Sequence, residues 1–192
     1  MEQAGKLFVV MGPSGAGKTT LVDAVLERRG QECKLTMVTP YTTRAPRPGE
    51  VHGQHFNFLT NQEFEQKIHE GFFLEWSGSY NAYYGTSAEG VAHKRSQGWS
   101  VVLVIDRAGA VQVKKQLFEA YVILIVPPSF EILQQRLQGR CTDCQETIAF
   151  RLERALEELG EEFKHPIASC VVENSEKELG IAQLETILCA GS

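Results

Sequence analysis

The sequence predicts an α/β fold, three layers deep around a mainly parallel sheet, and three observations carry the prediction. Short apolar runs alternate with stretches of helical periodicity along the chain. Two of those runs, residues 100–105 and 121–126, are almost wholly apolar, as strands covered on both faces must be. A glycine-rich segment follows the apolar run at residues 7–11 and opens a helical pattern, the strand-loop-helix order of a phosphate-binding unit.

The elements follow in order. Residues 7–11 read as a buried strand, and Leu21, Val22, Val25 and Leu26 recur at helical spacing after the glycine-rich loop. A short strand over 34–39 gives way to a loop over 42–49, where Pro46 and Pro48 interrupt pairing. Residues 55–59 form a strand. Thr60 and Glu63 make a capping box for a short helix closed by Gly71. Strand 72–76 follows, then a turn at Tyr83, Tyr84, Gly85 and Thr86, and a helix over 87–97. After the two apolar strands, Pro127 and Pro128 stop the second. Helices over 130–137 and 145–163, a strand over 170–173 and a helix capped by Ser175 complete the chain. The stretch from Thr39 to Tyr84 is richer in short strands and turns, which predicts a separate small lobe.

With 192 residues, 43% of them hydrophobic, the chain can bury one core. No repeat or long linker divides it. A net charge of −5 argues against a broad nucleic-acid surface. No apolar run is long enough to span a membrane, and the first residues carry no secretory signal. A cytoplasmic protein with reduced thiols is therefore expected. Cys141 and Cys144 form a C-x-x-C pair without two further ligands at a recognised spacing, and read as incidental loop cysteines. Monomer and homo-oligomer both remain open.

The loop Gly12, Pro13, Ser14, Gly15, Ala16, Gly17, Lys18, Thr19 fits G-x-x-x-x-G-K-[ST]. Its glycines let backbone N–H groups turn around an anion, and the following helix aims its N-terminus at the same charge. Lys18 can reach β- and γ-phosphates, and the Thr19 hydroxyl can bind Mg²⁺. Three other groups carry chemistry. Arg44 and Arg47, on a proline-stiffened loop, can grip one phosphate from two sides; an ordinary basic loop would look the same. Glu75, between Leu74 and Trp76, is costly to bury without a partner, and two adjacent N–H donors of a guanine edge match its two oxygens. Arg136, Arg140 and Arg151 can stabilise a transferring phosphoryl group from a closing segment, although the neighbouring glutamates also suit plain helical ion pairs. Asp106, at the carboxyl end of an apolar strand, suits either water-mediated Mg²⁺ binding or the N-cap of a helix.

With these residues assembled, the chain resembles the guanylate kinases over nearly its full length, residues 7–188. The landmarks are GPSGAGKTT (12–20), TTRAPRPGEVHG (42–53), FLEW (73–76), YYGTS (83–87), VPPS (126–129), RLQGRCTD (136–143) and VVEN (171–174). The resemblance implies a P-loop kinase fold: a core (about 1–38, 98–134 and 165–192), a mixed α/β GMP-binding lobe (about 39–97) and a helical lid (about 135–164). It implies ATP as phosphoryl donor, GMP as acceptor and Mg²⁺ as cofactor. Lys18, Thr19 and Thr20 would serve the ATP phosphates and metal, with Asn174 near the adenine. Arg44, Arg47 and Tyr84, beside Phe56, would hold the GMP phosphate, and Glu75 and Thr86 would read the base. Arg140 and Arg151 would join Lys18 and Arg44 at the transferring phosphoryl group.

Four positions depart from the family pattern. Pro40 stands where many members have a serine contacting the base, and Phe56 replaces a tyrosine of the phosphate grip. Val104 and Ala108 replace an acidic residue and a glutamine in a D-x-D-x-Q-G-like run. All four lie on the acceptor side, so weaker GMP affinity is expected. Two other readings stay open: a guanylate-kinase-like binding module of the scaffold type, which the intact phosphate loop argues against, and a P-loop kinase for another acceptor such as ribose bisphosphate.

Overall fold

A computed structural model describes residues 4–79, 81–139 and 145–190. Two sheets organise them. The larger is parallel throughout, in the order β2 (Leu35–Thr36), β7 (Ser100–Val104), β1 (Leu7–Met11), β8 (Tyr121–Val126) and β9 (Cys170–Glu173). β1 is central and fully buried, and its residues alternate between two cores. Phe8 and Val10 face α1 (Lys18–Arg29) and α7 (Lys177–Ala190) through Leu21, Val22, Val25, Ile181 and Leu184. Leu7, Val9 and Met11 face α3 (Ala88–Ser96) and α4 (Arg107–Gln116) through Val91, Ala110 and Val113. A strand of period two sandwiched by helices must be apolar at every position, hence the unbroken apolar runs.

The smaller sheet is mixed, in the order β4 (Asn57–Phe58), β3 (Tyr41–Thr42), β6 (Ala82–Ser87) and β5 (Phe73–Ser79). Phe64 of α2 (Asn61–His69) stacks between Phe73 and Tyr83, with ring centroids 4.4 and 5.3 Å away. Helices α5 (Phe130–Gln138) and α6 (Gln145–Lys164) pack on each other through Leu133, Leu137 and Ala155. The Thr60–Glu63 capping box of α2 forms as expected, and Ser87, Asp106 and Ser129 cap α3, α4 and α5.

Several local expectations need correction. Residues 83–86 lie within β6: Thr86 is buried against β5, and the half-buried Tyr83 ring stacks on Phe64 of α2, where a turn would expose both. The strand expected over 34–39 shrinks to β2, since Lys34 has a left-handed backbone (φ 47°). The strand expected over 55–59 shortens to Asn57–Phe58, which pairs with β3, while Phe56 makes an isolated bridge with His52. The expectation of wholly reduced thiols also fails: Cys33 and Cys189 form a disulfide where the end of α7 packs beside the α1–β2 connection. Arg140, Cys141 and Cys144 lie outside the described residues.

Candidate active site

The loop from Gly12 to Gly17 sits at the carboxyl end of β1, in the crevice where α/β sheets receive ligands. Gly17 precedes α1 at φ 94°, and a side chain there would strike the Asn174 amide. α1 starts with no side-chain cap and no acidic residue in its first turn. Its leading N–H groups and dipole are therefore offered to an anion. The Lys18 ammonium donates to the carbonyls of Gly12 and Pro13 (2.6 and 3.0 Å), folding back over the loop. Thr19 and Thr20 are exposed on the first turn. Asn174 braces the loop from behind, donating to the Ala16 carbonyl at 2.8 Å; it is buried beneath the loop rather than open to a ligand.

α6 brings Arg151 to this loop, where it donates to the Ser14 hydroxyl at 2.9 Å. Arg136 donates to the Asn174 carbonyl at 2.8 Å. α6 also brings Glu158, which the sequence reading did not single out. Burial raises its carboxyl above the usual range against the pull of Lys18, and Asp106 adds to the rise. The other end of α6 is anchored. Arg107 reaches Glu162 (3.1 Å) and the carbonyls of Glu161 and His165 (3.2 and 2.6 Å). The second oxygen of Glu162 accepts the N–H groups of Ile167 and Ala168, both at 2.8 Å.

In the small lobe, Arg44 forms a two-pronged pair with Glu50 (2.9 and 2.8 Å). Glu50 also accepts the Arg47 N–H at 2.7 Å. These bonds hold the Glu50 carboxyl down at about 2. Glu50 in turn raises the Arg44 guanidinium, with Tyr84 a smaller contributor. Phe56 lies 5.3 Å below that guanidinium and edge-on to Tyr84, so its ring still packs the cluster although it brings no hydroxyl. The Arg47 side chain is exposed at the loop surface.

Glu75 lies deeper, 3% exposed, and accepts the Thr86 hydroxyl at 2.6 Å. A β-bulge makes this pair. Phe73 opposes Ser87, but the next opposed pair is Glu75 and Thr86, so Leu74 is an extra residue. Without it, Leu74 would oppose Thr86 and Glu75 would point to the other face. Burial pushes the Glu75 carboxyl up to about 7, with Asp106 adding to the rise and the Thr86 hydroxyl opposing it. Asp106 caps α4 through the Gly109 N–H (2.8 Å) and accepts the Ser77 hydroxyl (2.6 Å). Its charge thus acts on both Glu75 in the lobe and Glu158 on α6.

Both Asp106 oxygens already accept protein hydrogen bonds, and no cluster of three acidic, His or Cys residues among the described residues could hold a metal. Such a site suits Mg²⁺ carried mainly by nucleotide phosphates and water, which is how that ion is usually bound.

A phosphate loop facing a separate arginine- and carboxylate-bearing lobe defines a P-loop phosphotransferase of the nucleoside monophosphate kinase class. The chain belongs to the guanylate kinase family, whose family model matches residues 4–190. It is 43% identical to a guanylate kinase of Idiomarina loihiensis, over 97% of this chain and 87% of that protein. It is 39% identical to one of Shewanella sp. strain MR-7, over 98% and 88%. The crystal structure of guanylate kinase from Anaplasma phagocytophilum superposes with a TM-score of 0.78 at 25% identity, covering 99% of this chain and 87% of that one. No helix among the described residues is long and apolar enough to cross a membrane.

Proposed function

We propose that the chain transfers the γ-phosphoryl group of ATP to GMP, giving ADP and GDP, in the cytoplasm and with Mg²⁺. One observation carries the choice of acceptor: the buried Glu75 carboxylate, held at one oxygen by Thr86. A buried carboxylate needs donors, and the N1–H and amino group of guanine offer two side by side.

The residue roles proposed here rest on the family resemblance and are supported by the contacts described above. The loop amides and Lys18 bind the β- and γ-phosphates of ATP. Arg44, Arg47 and Tyr84 take the GMP phosphate, and Phe56 supports Arg44. Thr86 orients Glu75. Arg151 and, by the family resemblance alone, Arg140 stabilise charge on the transferring phosphoryl group. Mg²⁺, held by the ATP phosphates with Thr19 and through water by Asp106, would supply further positive charge there. A GMP phosphate oxygen attacks the γ-phosphorus and the bond to the ADP oxygen breaks. The dianionic acceptor needs no general base, so the chain supplies alignment, charge and exclusion of water. Asn174, anchored to Ala16, acts by shaping the loop that receives ATP.

A coupled ADP-release assay with GMP, dGMP, AMP, UMP and ribose phosphates tests this reading. GMP should give the highest kcat/KM. Preference for another acceptor refutes the specificity, and absence of turnover with every acceptor refutes the enzyme.

A further inference from the structure

We propose that Gln112 and Gln116 of α4 are specificity-positioning residues, which hold the strand segment around Glu75 so that its carboxylate meets the acceptor base. Among the described residues β5 is an edge strand, paired with β6 alone, so its outer backbone groups need other partners. Gln112 supplies two. Its amide donates to the Trp76 carbonyl at 2.7 Å and accepts the Trp76 N–H at 3.2 Å. Gln116 donates to the Leu74 carbonyl at 2.6 Å. The peptide groups on both sides of Glu75 are therefore fixed from the core helix.

Two further contacts come from the same helix. A Cβ at Gly109 would sit 2.5 Å from Glu75 Oε2, so the carboxylate fits only because that position is bare. Asp106 at the helix start holds Ser77, two residues past Glu75. Positions 106, 109, 112 and 116 share one face of α4. Leu74 is also the bulged residue, which lacks a partner on β6 and would otherwise let the register slip. The Gln116 bond falls on that residue.

The inference rests on GMP being the acceptor, and steady-state kinetics separate the two. Gln112→Ala should raise KM for GMP about tenfold, the effect of losing a two-point hydrogen bond, with KM for ATP and kcat within about twofold. Gln112→Glu keeps the acceptor oxygen, loses the donor, and should fall between. The preference for GMP over IMP, which lacks the amino group, should shrink in both. Titration of Trp76 fluorescence with GMP alone should show the same weakening without ATP. Gln116→Ala, which removes one bond, should raise KM for GMP about threefold and serves if Gln112→Ala does not fold. An unchanged KM and IMP ratio overturns the inference. So does a parallel rise in both substrates' KM with a fallen melting temperature, which marks a merely structural role. A wild-type chain that does not turn over GMP refutes the function instead.

Discussion

Glu50 holds both terminal nitrogens of Arg44, at 2.9 and 2.8 Å, and ties them to the Arg47 backbone at 2.7 Å. The loop from Arg44 to Glu50 is thereby closed into a ring, with the guanidinium laid over Phe56. Glu50→Gln should raise KM for GMP about three- to tenfold with less change in kcat, since a charge-assisted pair is replaced by a weaker one. A fall in KM would instead mean that Glu50 competes with the acceptor phosphate for Arg44. The stability from this pair is present above the ordinary carboxylate range near 4.5 and is lost as pH falls through about 2. A titration of folding by circular dichroism should show its acid limb shifted upward in Glu50→Gln.

The Glu75 carboxyl, at about 7, makes guanine binding pH-dependent. Guanine donors favour the ionised form, so GMP binding must expel a proton below that pH. kcat/KM for GMP should fall up to about tenfold per unit below 7, while KM for ATP stays level. Thr86→Val removes a bond that stabilises the charged form and should move the inflection upward. Folding shows the opposite preference. The raised carboxyl contributes stability that is complete below about 4.5 and lost as pH rises through about 7. Glu75→Gln should abolish both dependences.

Phe56→Tyr places a hydroxyl in the cluster of Arg44 and Tyr84. One recovered hydrogen bond is worth about 1 kcal/mol, so KM for GMP should drop about fivefold. An unchanged KM would show that the ring, and not the missing hydroxyl, is what this position contributes.

The Cys33–Cys189 disulfide closes a loop of sequence separation 156. Removing it should cost about 5 kcal/mol by the loop-entropy account. Thermal unfolding with and without reductant measures this, and Cys33→Ser should lower the midpoint and make it insensitive to reductant.

Much of the fold was legible because the main strands are buried on both faces, which leaves unbroken apolar runs such as 121–126. The phosphate loop was legible because its chemistry is local. What escaped depends on partners distant in sequence. β6 looked like a turn because its hydroxyls and aromatic rings are explained only by β5 and α2 beside it. The Glu75–Thr86 pair needed a bulge that no residue type announces. The disulfide needed the last helix to pack beside the first. Arg107 carried no signal in the sequence, because its partner Glu162 lies 55 positions on.

The two glutamines of α4 have a consequence beyond the pocket. An uncovered outer strand is a template on which another polypeptide can add a strand and begin to aggregate. Here Leu74 and Trp76 present backbone groups already taken by side chains of the same molecule. The tether that aims Glu75 also blocks that stretch of the sheet to strangers, so solubility and substrate choice are vested in the same amides.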